Sequence, residues 1–154
     1  MNEHTNTPPM LGSEAHLAAN AVGPRVTLEQ LLRTITSEHY FTAADGVDGA
    51  YLNRKRIEDQ TRPVTFIPLE DDLEIAGTPM GDLALLTFCV LRLENGFTAH
   101  GSSACADPAN YDEAIGRHLA REDAIKKIWP LLGYELKTRL FFEKRLEEIF
   151  YAPH

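Results

Sequence analysis

Cys89 and His100 are the two side chains of this sequence that come closest to a catalytic pair. A cysteine thiolate is a strong nucleophile when a nearby histidine takes its proton, and both residues lie in one predicted pair of strands. Such a site also needs a third group to orient the base, and no recognisable nucleophile motif surrounds either residue. We therefore expect Cys89 to be a buried structural thiol, with a small enzyme as the alternative.

His118 and Glu122 are spaced one helical turn apart, which is half of a metal-binding or acid–base pair. Arg121 is their neighbour, so we interpret the group as a satisfied polar cluster. The acidic run at residues 70–74 lacks the glycine and the terminal glutamate of a calcium loop. The sequence also lacks a glycine-rich phosphate loop, a C-x-x-C pair and an H-E-x-x-H motif. It predicts no catalytic residue, no metal site and no cofactor.

A third group of residues has the chemistry of an anion-binding pocket. A glycine leaves the surface of a predicted strand low, serine hydroxyls follow it, and two arginines stand one turn apart on the next helix. If that helix packs back over the strands, these donors converge on a site suited to phosphate or carboxylate. The predicted ligand-binding residues are Gly101, Ser102, Ser103, Arg117 and Arg121. In the alternative, both arginines pair with neighbouring acidic residues on the surface, namely Asp112, Glu113, Glu122 or Asp123.

Asn95 and Gly96 predict the β-hairpin that would position these groups. The pair supplies the two positive-φ residues of a two-residue type I′ turn, and the residues before it are rich in strand formers. The register of such a turn places Gly101 opposite Val90, where a helix or ligand can come close. It also predicts that the face carrying Phe88 is the better buried one.

The two cysteines are expected to be reduced. Cysteines of an intracellular protein are most often free. In the predicted register, Cys89 and Cys105 are not opposite each other and project from opposite faces of the hairpin.

A long amphipathic helix is predicted from Asp107-Pro108 to Trp129. Aspartate is a good N-cap, proline is tolerated in the first turn, and Pro130 disfavours a helical residue before it. The apolar arc contains Tyr111, Ala114, Ile115, Leu119, Ile125, Ile128 and Trp129. Gly116 lies outside this arc and weakens the helix, so a close contact there would explain its presence. We expect the Trp129 ring to be mostly buried.

Helices are also predicted on both sides of this core. Thr27 and Gln30 form a capping box that predicts a helix from about Leu28 to His39. The remaining predicted elements are a loop at 40–49, a weak helix at 50–59, a short edge strand at Val64–Pro68 and an amphipathic helix at Leu136–Tyr151. The apolar stripe of the last helix packs either on the same chain or on a second copy, which would make the protein a homo-oligomer.

The expected fold class is therefore α+β. A single domain at residues 26–154 contains an antiparallel β-hairpin or small sheet covered by the long amphipathic helix, with flanking N-terminal and C-terminal helices. Residues 1–25 are small and polar with several prolines and glycines, which is typical of a flexible N-terminal arm.

Half of the chain carries a family resemblance. The segments concerned are Tyr40-Phe41-Thr42-Ala43-Ala44-Asp45-Gly46, Leu86-Thr87-Phe88-Cys89-Val90-Leu91, Asn95-Gly96-Phe97-Thr98, Gly101, Ser103-Ala104-Cys105, Ile115-Gly116-Arg117, Ala120-Arg121-Glu122, Ala124, Lys127-Ile128-Trp129-Pro130-Leu131 and Gly133-Tyr134. In these segments the chain resembles the gene 49/gene 66 family of small tailed-phage accessory proteins. The family core spans about residues 85–136, and the family brings no catalytic motif. The chain departs from the pattern at 48–82 and after Arg139, so a partner bound there would be particular to this protein.

The charge of the chain limits its partners. A net charge of −8 argues against broad nucleic-acid binding, which needs a local excess of lysine and arginine. Basic clusters at residues 54–56 and on the helix at 117–127 leave a DNA-associated phage factor as an alternative. We interpret both clusters as solvated faces paired with neighbouring acidic residues.

The function predicted from these observations is that of a non-enzymatic phage accessory protein that acts by binding. No run has the length of a signal peptide core or a membrane span, so action in the bacterial host cytoplasm is expected. Its role would be counter-defence or host takeover. The partner would be a small anionic ligand such as a nucleotide signal, or a bacterial host protein.

Overall fold

The computed structural model describes residues 12–61 and 81–151, which form five α-helices, one short 3-10 helix at Pro108–Asn110 and three strands. The helices are α1 (Glu14–Asn20), α2 (Leu28–Thr34), α3 (Ala43–Thr61), α4 (Gly81–Ala84) and α5 (Glu113–Tyr151), and the strands are β1 (Ile35–Thr42), β2 (Leu86–Leu93) and β3 (Thr98–Ala104). The strands form one antiparallel sheet in the order β1-β2-β3. The predicted α+β fold class is confirmed.

The chain divides into two compact units. Ile35–Lys127 is called the sheet unit here, and Met1–Thr34 together with Ile128–His154 is called the helical unit. The predicted edge strand at Val64–Pro68 and the acidic run at 70–74 lie outside the described residues.

The hairpin is present, but its turn is not type I′. The Leu93 N–H donates to the Phe97 carbonyl at 2.8 Å, and the Gly96 N–H donates to the Leu93 carbonyl at 2.9 Å. Gly96 has φ 84°, while no described residue other than glycine has positive φ, which excludes the second positive-φ position of a type I′ turn. The loop is therefore three residues long, with a type I turn that closes on a left-handed glycine. The Asn95 side chain accepts from the Phe97 N–H at 2.9 Å and supports this shape.

The longer loop shifts the strand register by one residue. Gly101 pairs with Cys89, and Val90 pairs with His100, so the predicted pairing of Gly101 with Val90 is wrong. A shift of one residue moves every side chain of one strand to the other face relative to the strand it pairs with. The buried face carries Thr87, Cys89, Leu91, Leu93, Ala99 and Gly101, whereas Phe88 is half-buried. The prediction that the Phe88 face is the better buried one is therefore also wrong.

Both cysteines are free, but they do not project from opposite faces. The Cys105 N–H donates to the Leu85 carbonyl at 3.0 Å, so the register continues past the end of β3. Alternation along the strand then places Cys105 on the same face as Gly101 and its partner Cys89. The predicted separation of the cysteines is corrected by the same one-residue shift.

β1 occupies part of the chain that was predicted to be helix and loop. The Thr27–Gln30 capping box is confirmed, because the Gln30 N–H donates to Thr27 Oγ1 at 3.1 Å and the Thr27 N–H donates to Gln30 Oε1 at 2.9 Å. The helix ends at Thr34, however, because the following residues are β-branched and aromatic and pair with β2. The predicted loop at 40–49 is wrong: a second capping box at Thr42 starts α3 at Ala43.

α5 is packed on the sheet through its smallest residues. Gly116, Ala120 and Ala124 are buried at intervals of four, whereas Ile115 and Leu119 are 58% and 47% exposed. The predicted large apolar arc is therefore wrong in the sheet unit. Residues without bulky side chains let the helix backbone approach the strands more closely than leucine or isoleucine would.

α5 also continues through Pro130, so the predicted stop at Trp129 is wrong. Proline removes one hydrogen bond of the ladder and costs about 3 kcal/mol, which the 39-residue helix tolerates. Pro130 is exposed, whereas Trp129 is mostly buried, in agreement with the prediction. The predicted helix at Leu136–Tyr151 is the second half of α5.

The helical unit contains short capped helices and the later turns of α5. Ser13 caps α1 by accepting from the His16 N–H at 3.2 Å, and Arg25 pairs with Glu14 at 2.8 Å. Leu31 of α2 is fully buried. Among the described residues, no helix is both long enough and apolar enough to cross a lipid bilayer.

Candidate functional site

Arg121 of α5 is bound to Glu38 of β1. Its Nε lies 3.0 Å from both carboxylate oxygens of Glu38, and its Nη2 lies 2.8 Å from Oε1. Both side chains are about two-thirds buried, so the ion pair is shielded from water on part of its surface. The guanidinium holds the pKa of Glu38 below its ordinary value. Arg121 thus fastens α5 to the sheet instead of presenting free donors.

Tyr40 extends this network under the helix. Its hydroxyl donates to Glu38 Oε2 at 2.7 Å, and its pKa is raised by burial and by that hydrogen bond. Cys89 pairs with Tyr40 across the two strands and is fully buried, so desolvation raises the pKa of its thiol. A thiol in this state is a poor nucleophile.

Arg117 is the more available of the two arginines. It pairs with Glu113 at 2.6 Å, its guanidinium carbon lies 5.7 Å from the centre of the Tyr40 ring, and its side chain is half exposed. Beside it is a cavity of about 40 Å³ that Thr87 also lines. The Thr87 hydroxyl is buried, and none of the residues that the structure describes forms a hydrogen bond with it. A cavity of this size accommodates a water molecule or a similarly small group.

The other predicted residues lie at the contact between β3 and α5 or beside it. Gly101 faces the backbone of Ala120 and Ala124 with no room for a side chain, and the Ser102 N–H donates to Asp123 Oδ2 at 3.1 Å. Ser103 lines a second cavity, of about 120 Å³, in the sheet unit.

The five predicted ligand-binding residues are therefore near one another without sharing one cavity. Arg117 and Ser103 line different cavities, whereas Gly101, Ser102 and Arg121 hold the helix against the sheet. The Glu38 partner of Arg121 is 83 residues away in sequence, so spacing could not reveal it. Anion binding by this group stays a prediction.

The candidate catalytic groups are not assembled. The corrected register places Cys89 on the buried face and His100 on the other face, so the two side chains do not face each other. His118 and Glu122 lie 3.7 Å apart and are well exposed, which fits a surface polar pair. Within residues 12–61 and 81–151, no cluster of three or more histidine, cysteine, aspartate or glutamate side chains could hold a metal ion.

A different surface emerges on the last turns of α5. We call Phe142, Leu146, Ile149 and Phe150 the C-terminal apolar face. These side chains are 53–74% exposed, and Phe141 and Tyr151 beside them are 53% and 83% exposed. The sequence predicts an apolar stripe on this helix that packs either on the same chain or on a second copy, and its members are Leu136, Leu140, Phe141, Leu146, Ile149 and Phe150. In the single chain, Leu136 and Leu140 are half-buried and the later residues of the stripe are exposed, so packing on a second copy stays a prediction.

The relationship to known proteins rests on one comparison. The profile of the phage protein (N4 Gp49/phage Sf6 gene 66) family matches residues 26–140. The chain belongs to this family. The match confirms the predicted relationship and includes β1, the hairpin and the first part of α5. No curated protein and no solved structure matches the chain.

The range that the family profile matches includes one of the two features described above and does not reach the other. The network of Glu38, Tyr40, Arg117 and Arg121 lies within the matched residues. The C-terminal apolar face begins after residue 140 and lies beyond the match.

Proposed function

We propose that this phage protein acts by binding a bacterial host protein through the C-terminal apolar face, in counter-defence or host takeover. The observation that carries the proposal is the exposure of four large apolar side chains on consecutive turns of one helix. Contiguous apolar surface of this kind marks interaction sites. Action in the host cytoplasm, without a catalytic step, is part of the proposal.

The spacing of the apolar residues indicates the kind of partner. Phe142, Leu146 and Ile149 occupy positions i, i+4 and i+7 and lie within about 60° of one another around the helix axis. This is the anchor pattern of a helix that inserts into an apolar groove. The partner we propose is therefore a protein with a hydrophobic groove.

The charged residues on the same turns already form ion pairs with one another. Arg139 pairs with Glu143 at 3.7 Å, and Lys144 pairs with Glu148 at 3.9 Å, all on α5. Exposed pairs of this type contribute little binding energy. Affinity would therefore come from burial of the apolar anchors, with charged residues at the rim.

The experiment compares the tagged wild-type chain with a triple variant, Phe142→Ala, Leu146→Ala and Ile149→Ala. The matched control is Lys144→Ala with Glu148→Ala, on the opposite side of the same turns. Proteins cross-linked to each version in bacteria are identified by mass spectrometry, and the candidate partner is purified and bound again to each version. We expect the control to bind like wild type and the triple variant to lose at least about 100-fold in affinity, as three truncated anchors imply.

Two outcomes would contradict the proposal. One is a purified partner that binds the folded triple variant as tightly as wild type. The other is a wild-type chain that forms a stable homodimer dissociated by the triple substitution, which would assign the face to a second copy. Light scattering over a range of concentrations distinguishes the two kinds of assembly.

A small anionic ligand is the second candidate, and the exposed Arg117 beside its cavity favours it. The cavity of about 40 Å³ is far smaller than the roughly 300 Å³ of typical ligand pockets, so a nucleotide would require the Glu113–Arg117 pair to open. Mass spectrometry of small molecules released from protein purified from bacteria tests this version. Retention of a nucleotide by wild type and the control Arg139→Ala, but not by Arg117→Ala, would support it.

The DNA alternative depends on the basic face of α5. Arg117, Arg121 and Lys127 are each bound to a carboxylate, which reduces the positive charge available for phosphates. Weak duplex binding that is unchanged between low and physiological salt would remove this alternative.

A further inference from the structure

The outer edge of β3 has backbone groups that point away from β2. In the observed register the odd-numbered residues of β3 exchange hydrogen bonds with β2. Thr98, His100, Ser102 and Ala104 therefore direct their N–H and C=O groups outward. An edge of this kind is a template for another strand.

Two side chains of α5 occupy the middle of this edge. Asp123 Oδ2 accepts from the Ser102 N–H at 3.1 Å, and Lys127 Nζ donates to the His100 carbonyl at 2.8 Å. The two side chains also pair with each other at 2.9 Å. One donor and one acceptor of the edge are thus satisfied by the helix.

The sequence of β3 lacks the residues that usually prevent an edge strand from pairing with another strand. Its sequence, Thr-Ala-His-Gly-Ser-Ser-Ala, contains no proline, lysine, arginine, aspartate or glutamate. Charged residues and proline are the usual means by which an edge strand avoids pairing. An uncharged edge also meets no repulsion from an identical edge. The partner that fits it directly is β3 of a second copy, in antiparallel pairing around Gly101.

We propose that Asp123 and Lys127 form an edge guard that prevents two copies of this chain from joining through β3. The guard occupies the outward N–H of Ser102 and the outward C=O of His100, which such a pairing would use first. Its removal exposes a seven-residue strand for self-association. This role is separate from the binding surface proposed for the last turns of α5.

The test compares the molar mass of wild type with that of Asp123→Ala/Lys127→Ala by light scattering over a range of concentrations. The control is Lys144→Ala/Glu148→Ala, which removes an equivalent i,i+4 pair elsewhere on α5. We expect at least a twofold rise in mass for the guard variant and none for the control. Ser102→Pro added to the guard variant should restore the wild-type mass, because proline is tolerated on an edge and blocks pairing.

The proposal is overturned if the folded guard variant keeps the wild-type mass. It is also overturned if association persists after Ser102→Pro, because the contact then lies elsewhere. Far-UV circular dichroism verifies folding. If the double variant does not fold, Lys127→Met replaces it, since that change keeps the Asp123 hydrogen bond and frees the His100 carbonyl.

Discussion

Gly101 and Ala120 meet backbone to backbone: a methyl group on Gly101 would overlap the Ala120 carbonyl oxygen. The same methyl group would lie 2.9 Å from the carbonyl carbon of Asp123, so no side-chain rotation relieves the contact. This close contact between the two backbones keeps the first half of α5 packed on the sheet.

Gly101→Ala should therefore destabilise the protein by about 1–3 kcal/mol or more, because the helix must move away from the strand. The control is Gly133→Ala, where an added methyl group meets no atom within 4 Å. That change should leave stability unaltered or raise it by up to about 1 kcal/mol through helix propensity. Urea unfolding measures both. Equal stabilities for the two variants would show that the backbone contact is looser than described.

Removal of the Arg121 guanidinium should cost about 1–2 kcal/mol, because Glu38 loses three charge-assisted hydrogen bonds in a partly shielded position. The control Arg139→Ala breaks an exposed pair and should change stability by less than about 0.5 kcal/mol. Thermal or urea unfolding of Arg121→Ala provides the measurement. A loss no larger than that of the control would contradict the fastening role of the pair.

The same ion pair should make stability depend on pH. The folded-state pKa of Glu38 is depressed, so its contribution is fully present above the ordinary pKa of 4.5 and is lost as pH falls through the folded value. The difference in unfolding free energy between wild type and Glu38→Gln should be constant near neutral pH and shrink below about pH 4.5. Parallel urea titrations from pH 7 to pH 3 test this sign. A difference that grows on acidification would refute it.

Thr87→Val should leave the protein as stable as wild type or stabilise it by about 1 kcal/mol, because a buried hydroxyl without a partner is replaced by a methyl group of similar shape. Thr98→Val, at an exposed position of β3, is the control. Urea unfolding of both variants decides the matter. A loss above about 1 kcal/mol for Thr87→Val would mean that the hydroxyl has a polar partner in solution, such as a bound water.

The two thiols should differ in reactivity. Cys105 is half-buried, whereas Cys89 is fully buried and burial raises its pKa. Iodoacetamide should therefore label Cys105 first in native protein and reach Cys89 after unfolding. Peptide mass spectrometry locates the label, and Cys105→Ser serves as the control. Rapid native labelling of Cys89 in that variant would contradict its burial.

Local signals in the sequence were sufficient for some elements. The Thr27–Gln30 capping box is a contact between near neighbours, so the residue types predict it directly. Asn95-Gly96 correctly located the hairpin, but Glu94 joins the loop, and one extra loop residue changes which residues of β3 share a face with those of β2. The predicted register is therefore wrong because the loop contains one more residue, Glu94, than the predicted two-residue turn.

Other features depend on contacts that spacing does not reveal. The strand at Ile35–Thr42 forms because β2 is available for pairing, although the residues before it begin a helix. Hydrophobic periodicity favoured Ile115 and Leu119 as the buried side of α5 and left out Ala120 and Ala124, whereas the close contact suggested for Gly116 is present. The candidate site was incomplete for the same reason, since Glu38 and Arg121 come from distant parts of the chain.

The small buried residues Gly101, Gly116, Ala120 and Ala124 determine how closely the α5 helix can approach the strands. An added methyl group at Gly101 meets helix backbone, and one at Gly116 comes within 2.9 Å of the Thr87 hydroxyl. A relative with valine or leucine at the position of Gly101 must carry its helix farther from the strands, because the atoms that the side chain meets are helix backbone. The distance between helix and strands is therefore set by the absence of a side chain at Gly101, and we expect a larger residue there only together with a differently placed helix.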